Sequence, residues 1–190
     1  MSLVSIFITA AIVNNFVFYR FLGICAFLGV SKKLQPALSM GLAVTFVMVI
    51  SSLMTWLVKA YFLDKFGLPY LVYGVYIIVI AALVQVIETF MKKQMPAMYK
   101  IFGIYLPLIT TNCTILGVVL LKDLLGYTLA QSIIFAIGAG LGYTLALIIM
   151  AGIREKLELA NIPEPLKGVP IALIIAGLLA LAFDGFSGMI

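Results

Sequence analysis

Histidine is absent from the sequence, cysteine occurs twice, and only 10% of the 190 residues carry charge. Without histidine, haem ligation through imidazole, His-based zinc sites and imidazole general bases are excluded together. The chain has no Rossmann glycine fingerprint, no P-loop and no Cys-x-x-Cys pair. The first residues, Met1-Ser2-Leu3-Val4, lack the positive n-region of a cleavable signal peptide, so the first apolar run is expected to be a retained helix. The net charge of +5 is spread over connecting segments. It is the pattern of a membrane topology signal and not a nucleic-acid footprint.

What is abundant is apolar surface. Hydrophobic residues make up 65% of the chain, which is outside the range of soluble domains. A helix needs ~20 apolar residues to cross a bilayer. The expectation is an all-α polytopic membrane protein, one membrane domain over residues 1–190, with spans near 3–28, 36–62, 70–91, 101–121, 127–150 and 169–187. Lys32-Lys33, Asp64-Lys65-Phe66-Gly67, Lys92-Lys93-Gln94, Lys122-Asp123 and the segment from Gly152 to Pro170 separate them. In that last connector, Ile153–Leu159 reads as a short surface helix ended by Pro163 and Pro165. The odd-numbered connections hold eight basic residues, including Lys32, Lys33, Arg154 and Lys167, against three on the other side (Lys59, Lys65 and Lys122). That bias puts the odd connections in the cytoplasm and both termini outside. Trp56, Tyr61, Tyr70, Tyr73, Tyr99 and Tyr105 read as an interfacial aromatic belt.

The two cysteines share a context. Cys25-Ala26-Phe27-Leu28-Gly29-Val30 and Cys113-Thr114-Ile115-Leu116-Gly117-Val118 both read Cys-x-x-Leu-Gly-Val, 88 residues apart. Weaker matches, Ala37-Leu38-Ser39 with Ala130-Gln131-Ser132 and Ala81-Ala82-Leu83 with Ala176-Gly177-Leu178, follow the same division. The chain therefore reads as two repeats, about 1–95 and about 96–190. Each repeat has three spans, an odd number, so the second enters from the opposite face as an inverted-topology repeat. Cys25 lies seven residues before Lys32, about 10 Å along a helix, and Cys113 lies nine before Lys122 on the opposite side. The thiols can meet near mid-depth only if spans one and four are broken. Asn14-Asn15 and Gly23 in the first, and Pro107 and Thr110-Thr111-Asn112 in the fourth, supply the breakers. Non-helical backbone at that depth must be buried in protein or line a polar cavity.

Cysteine packs well between helices, and a disulfide is a second structural reading. The matched contexts and flanking breakers favour a metal site, for which thiolates suit iron–sulfur clusters, copper(I) or zinc. A [2Fe–2S] cluster usually takes four cysteines, so two more must come from another chain. Arg20, about 18 Å along a helix from Lys32, is expected deep in the bilayer. It either offsets the charge of a thiolate-bound cluster, snorkels to a headgroup or pairs with a carboxylate. Gly23, Gly29, Thr111, Asn112 and Gly117 are candidates for the surroundings of the thiols. The glycines there permit close backbone approach, and Asn14, Asn15 and Asn112 are suited to bonding across helices. Glu88, four residues before Lys92, is read as a helical ion pair, with a place in an ion path as the alternative. A small inverted repeat with broken helices is also the architecture of secondary transporters, which would not need the cysteines. A purely structural membrane component is a third reading.

Asn14-Asn15-Phe16-Val17, Phe21-Leu22-Gly23-Ile24-Cys25, Gly29-Val30-Ser31-Lys32-Lys33, Leu106–Cys113, Ile153-Arg154-Glu155 and Gly185-Phe186-Ser187-Gly188 closely resemble the family of A subunits of Rnf electron-transport complexes. The E subunits of sodium-pumping NADH:quinone reductases are similar too. The resemblance spans essentially the whole chain. It implies a bacterial cytoplasmic-membrane component of a redox-driven ion translocase that couples electron flow between ferredoxin and NAD to sodium or proton movement. It further implies a homologous partner, the E subunit of the Rnf complex, of opposite orientation. One intramembrane [2Fe–2S] cluster would be shared with it, with Cys25 and Cys113 as this chain's ligands. The B, C, D and G subunits would complete the assembly, and ferredoxin and NAD would act on subunits other than this one.

Overall fold

A computed structural model describes residues 3–63, 69–94, 106–161 and 163–185. Every regular element among them is helical. Helix α1 (Leu3–Ile8) widens into a π-helical turn, Thr9–Val13, and ends at Asn14. An irregular stretch follows, then α2 (Ile24–Val30), α3 (Leu34–Val58, continuing as a π-helical turn) and α4 (Val72–Gln94). The second half gives α5 (Leu106–Thr110), α6 (Cys113–Leu124), α7 (Leu129–Glu158) and α8 (Val169–Asp184).

Among the described residues four helical stretches are long and apolar enough to cross a membrane: Leu34–Phe62, Val72–Thr89, Pro107–Leu124 and Leu129–Glu158. Leu3–Val13 and Val169–Asp184 are shorter apolar helices. Both expected breaks are present. Span one loses its helix between Asn14 and Gly23, and span four between Thr110 and Cys113. The fifth connection differs from expectation, because α7 runs unbroken through Ile153–Glu158 and no separate surface helix forms there. Arg, Glu, Lys and Leu in that run favour continued helix, and no proline interrupts it before Pro163. The connections at 64–68 and 95–105, with Lys65, Tyr99 and Lys100, and the C-terminal Phe186-Ser187-Gly188 lie outside the described residues.

Helices α3 and α7 form the antiparallel centre. Their crossing is built from one sequence pattern used twice. A Cβ on Gly41 would lie 2.6 Å from the Thr144 side chain, and a Cβ on Gly140 would lie 2.5 Å from that of Thr45. Each threonine donates its hydroxyl to the carbonyl of the glycine four residues before it, Thr45 to Gly41 at 2.7 Å and Thr144 to Gly140 at 2.8 Å. Exchanging the helices exchanges the contacts, as a two-fold axis across both would require. Small residues let the backbones approach, and dispersion between them replaces the hydrophobic drive that lipid does not supply. The π turn packs on another face of α7, where Gly142 meets the Ala11 carbonyl so closely that a Cβ would sit 2.5 Å from it.

The ends of the bundle follow from these contacts. At one, Arg154 of α7 donates to the Leu28 carbonyl and the Ser31 hydroxyl, and Glu155 accepts the Leu34 amide at the start of α3. At the other, Lys122 of α6 donates to the Ser52 carbonyl and to Thr55 Oγ1 of α3, and Lys59 pairs with Asp123. Helix α2 thus runs toward the first end and α6 toward the second, and they start from the same interior level.

Candidate cysteine site at the meeting of two half-helices

Cys113 is the first residue of α6 and Cys25 the second of α2. The Gly23 amide, just ahead of α2, donates to Cys113 Sγ at 2.9 Å, so the two copies of the motif touch. Helices of seven and twelve residues rise about 10 and 18 Å. Set start to start they reach about 28 Å, close to the ~30 Å of a hydrocarbon core. Laid along one axis, the two half-helices would set the thiols between the two membrane faces. Both cysteines are free and exposed on the surface of the chain.

Local sequence explains the geometry. Asn15, 1% exposed, donates from Nδ2 to the Gly142 carbonyl at 2.9 Å and accepts the Val17 amide at 3.0 Å. It ties the first break to α7 and satisfies backbone that the helix has abandoned. Phe21 and Gly23 then take positive φ, +54° and +79°. The turn aims the Gly23 amide across the repeat boundary. In the second half Asn112 caps α6, its Oδ1 accepting the Thr114 amide at 3.0 Å. Asparagine at this position accepts an amide that the first turn leaves free.

Around Gly23 the packing has no slack. A Cβ there would fall 2.2 Å from Thr114 Oγ1, 2.9 Å from Tyr143 Cε2 and 3.3 Å from Asn112 Oδ1. Tyr143, fully buried on α7, carries no signal in the sequence that ties it to this site. Its hydroxyl lies near the Asn112 side chain without hydrogen-bond geometry, and both cysteines are within electrostatic range of it. The motif glycines also face the opposite half. Gly117 packs against Leu22 Cδ1, and Gly29 against Leu108 Cδ1. Thr111 is exposed and bonds back to the Pro107 carbonyl at 2.8 Å.

Other expected residues stand apart. Arg20 is exposed, with its guanidinium 5.9 Å from the Tyr19 ring centroid. Its helix-based depth does not apply, because residues 14–23 are not helical. Glu88 is half-buried on α4, and its expected pairing with Lys92 rests on a side chain outside the described residues. Conversely, Lys122 and Arg154, read from sequence as topology markers, are structural donors. Lys122 is only 3% exposed. Nothing in the sequence marks it, since Lys122-Asp123 reads as a connector after span four.

The arrangement offers two soft sulfur donors at the surface, with a backbone amide on one of them. The amide dipoles at the start of α6 favour negative charge on Cys113. Among the described residues no group of three or more cysteine or acidic side chains gathers that would hold a metal within this chain alone.

A family model described as Rnf-Nqr subunit, membrane protein, matches residues 3–190. The chain is 52% identical, over all of its length and 98% of the relative's, to the A subunit of the Na(+)-translocating ferredoxin:NAD(+) oxidoreductase complex of Acetobacterium woodii. It is 50% identical, with the same coverage, to the A subunit of the proton-translocating ferredoxin:NAD(+) oxidoreductase complex of Clostridium ljungdahlii. It is 48% identical, over 97% of the chain and 96% of the relative, to the A subunit of the ion-translocating oxidoreductase complex of Escherichia fergusonii. With a family match over almost its whole length and relatives of this similarity, the chain belongs to the Rnf-Nqr family of membrane subunits.

Proposed function

We propose that this chain is the A subunit of an Rnf-type ion-translocating ferredoxin:NAD oxidoreductase, and that Cys25 and Cys113 are half of the ligand set of a [2Fe–2S] cluster shared with a homologous membrane subunit. The observation that carries the reading is the contact of Gly23 with Cys113 Sγ, which brings the two cysteine motifs together while both thiols stay open at the surface. Two thiolates fit half of a four-cysteine cluster, and their exposure leaves room for a partner's pair. Such a cluster, when bound, takes up and gives back one electron within the membrane. This chain's residues then have defined tasks. Cys25 and Cys113 bind, the Gly23 amide stabilises negative charge on Cys113 sulfur, and Asn15 and Asn112 hold the broken backbone that sets the thiols.

Added charge in a low-dielectric region is costly, and that cost is available to shift helices and gate a cation path. The half-helices α2 and α6 are the elements placed to respond. Relatives of 52% and 50% identity are named for sodium and for protons, so overall similarity of this chain does not carry the choice of cation. The orientation follows the basic residues, with both termini outside a bacterial cytoplasmic membrane.

The test is iron and acid-labile sulfide content, with EPR after reduction, on the chain co-purified with its membrane partners. Cys25→Ser and Cys113→Ser should each remove one [2Fe–2S] signal. Unchanged iron, sulfide and spectra in both variants would return the cysteines to a packing role.

A further inference from the structure

At the far end of α2 from its start, about 10 Å along the helix, a cavity of about 250 Å3 opens where α2 and α7 end and α8 begins. Lys32, Arg154 and Lys167 line it from three separate segments, with Glu158 as the carboxylate among them and Leu157 and Ile171 as apolar lining. Three cations against one carboxylate leave the cavity positive. Arg154 is not a loose surface side chain. Its Nη1 donates to the Leu28 carbonyl at 2.8 Å and the Ser31 hydroxyl at 2.9 Å, which fixes the plane of the guanidinium. A fixed guanidinium fork suits a phosphate. Gly168, also on the wall, precedes α8, whose Val169 and Ile171 amides lack intrahelical partners (Pro170 has none to offer) and whose dipole favours an anion. The cavity sits at the end of two apolar helices, where headgroups lie, and the basic-residue bias assigns this end to the cytoplasm.

We propose that this cavity is a headgroup site for an anionic phospholipid, with its phosphodiester on Arg154, Lys32 and Lys167 and its acyl chains leaving over Leu157 and Ile171. Apolar lining argues for a lipid over a soluble phosphate. A choline or ethanolamine headgroup would bring a further cation to a site already positive, so phosphatidylglycerol is favoured over zwitterionic lipids. Basic pockets at the cytoplasmic ends of membrane helices recognise headgroups in this way. The proposal is independent of the cysteine reading.

The experiment uses the intact complex in detergent with a photoactivatable phosphatidylglycerol, and crosslinks are mapped by mass spectrometry. Capture should fall on residues 154–171, and unlabelled phosphatidylglycerol should compete while phosphatidylcholine should not. Because Arg154 also holds α2, the decisive variant is Lys32→Gln with Lys167→Gln, which leaves the Arg154 bonds in place. It should weaken competition by phosphatidylglycerol roughly tenfold to thirtyfold, from the loss of two cations near the headgroup. Equal competition by phosphatidylcholine, or unchanged capture in the double variant, would overturn the proposal. So would displacement by millimolar inorganic phosphate as effective as that by the lipid, which would make the ligand a soluble anion.

Discussion

Replacing Gly23 with alanine tests the core of the cysteine site, and Gly126→Ala supplies its control. Both glycines hold positive φ, +79° and +62°. An L-residue in that region costs about 1–2 kcal/mol, so both variants carry this cost. They differ in surroundings. No atom lies within 4 Å of a Cβ at Gly126, whereas at Gly23 it would lie 2.2 Å from Thr114 Oγ1 and 2.9 Å from Tyr143 Cε2. Thr114 and Tyr143 are both fully buried, so neither can swing into open space. Overpacking of this kind costs about 1–3 kcal/mol. Any backbone shift that relieves it also draws the Gly23 amide away from Cys113 Sγ. The expected loss is therefore about 2–5 kcal/mol for Gly23→Ala against about 1–2 kcal/mol for Gly126→Ala. Denaturant unfolding in mixed micelles measures the difference, and iron and sulfide content of the purified complex should drop for Gly23→Ala alone. Equal destabilisation of the two variants within about 0.5 kcal/mol, with full iron in both, would refute the account of a crowded turn aimed at the sulfur.

Two further comparisons use the same unfolding assay. Gly117→Ala should be about 1–2 kcal/mol less stable than Gly29→Ala, although the two glycines hold the same place in the repeated motif, because a Cβ at Gly117 falls 2.6 Å from Leu22 Cδ1 while one at Gly29 makes an ordinary 3.5 Å contact. Lys122→Met should cost about 1–3 kcal/mol through its lost bonds to Ser52 and Thr55. Lys59→Met should cost at most about 1 kcal/mol, since the Lys59 and Asp123 side chains are 36% and 22% exposed; equal costs would contradict the inward placement of Lys122.

The breaks and the pairing of the cysteines were legible because they rest on residues with strong local preferences. Asn14-Asn15 and Gly23 oppose helix in the first span and Thr111-Asn112 in the fourth, while Pro107 is accommodated in the first turn of α5. The identical Cys-x-x-Leu-Gly-Val copies fixed which breaks belong together. The inward placement of Lys122 and Arg154 was not legible. Helices α3 and α7 are apolar on every side, so hydrophobic periodicity carries no information on which face meets a neighbour. The reciprocal use of Gly41-x-x-x-Thr45 and Gly140-x-x-x-Thr144 is hidden for a related reason. The cysteines align the halves at an offset of 88 residues, whereas this crossing aligns them at 99. A single gapless comparison cannot register both. The depth of Arg20 defeats a rise-per-residue argument because the neighbouring asparagines unwind the stretch through which the rise would be counted.

The departure from two-fold symmetry at the cysteines bears most directly on mechanism. The repeat alignment pairs Gly23 with Thr111, each two residues before a cysteine. Gly23 adopts positive φ and sends its amide across to Cys113. Thr111 spends both its amide, at 3.1 Å, and its hydroxyl, at 2.8 Å, on the Pro107 carbonyl of its own half. Thr111 follows directly on α5 and bonds to the carbonyl one turn before it, whereas the residues before Gly23 are not helical and offer no such turn. The exchange that the motif sequence invites is thus made in one direction only. Cys113 Sγ therefore accepts a backbone amide from the opposite half of the chain. On the reading proposed above, the two sulfurs would present unequal hydrogen-bonding environments to a shared cluster.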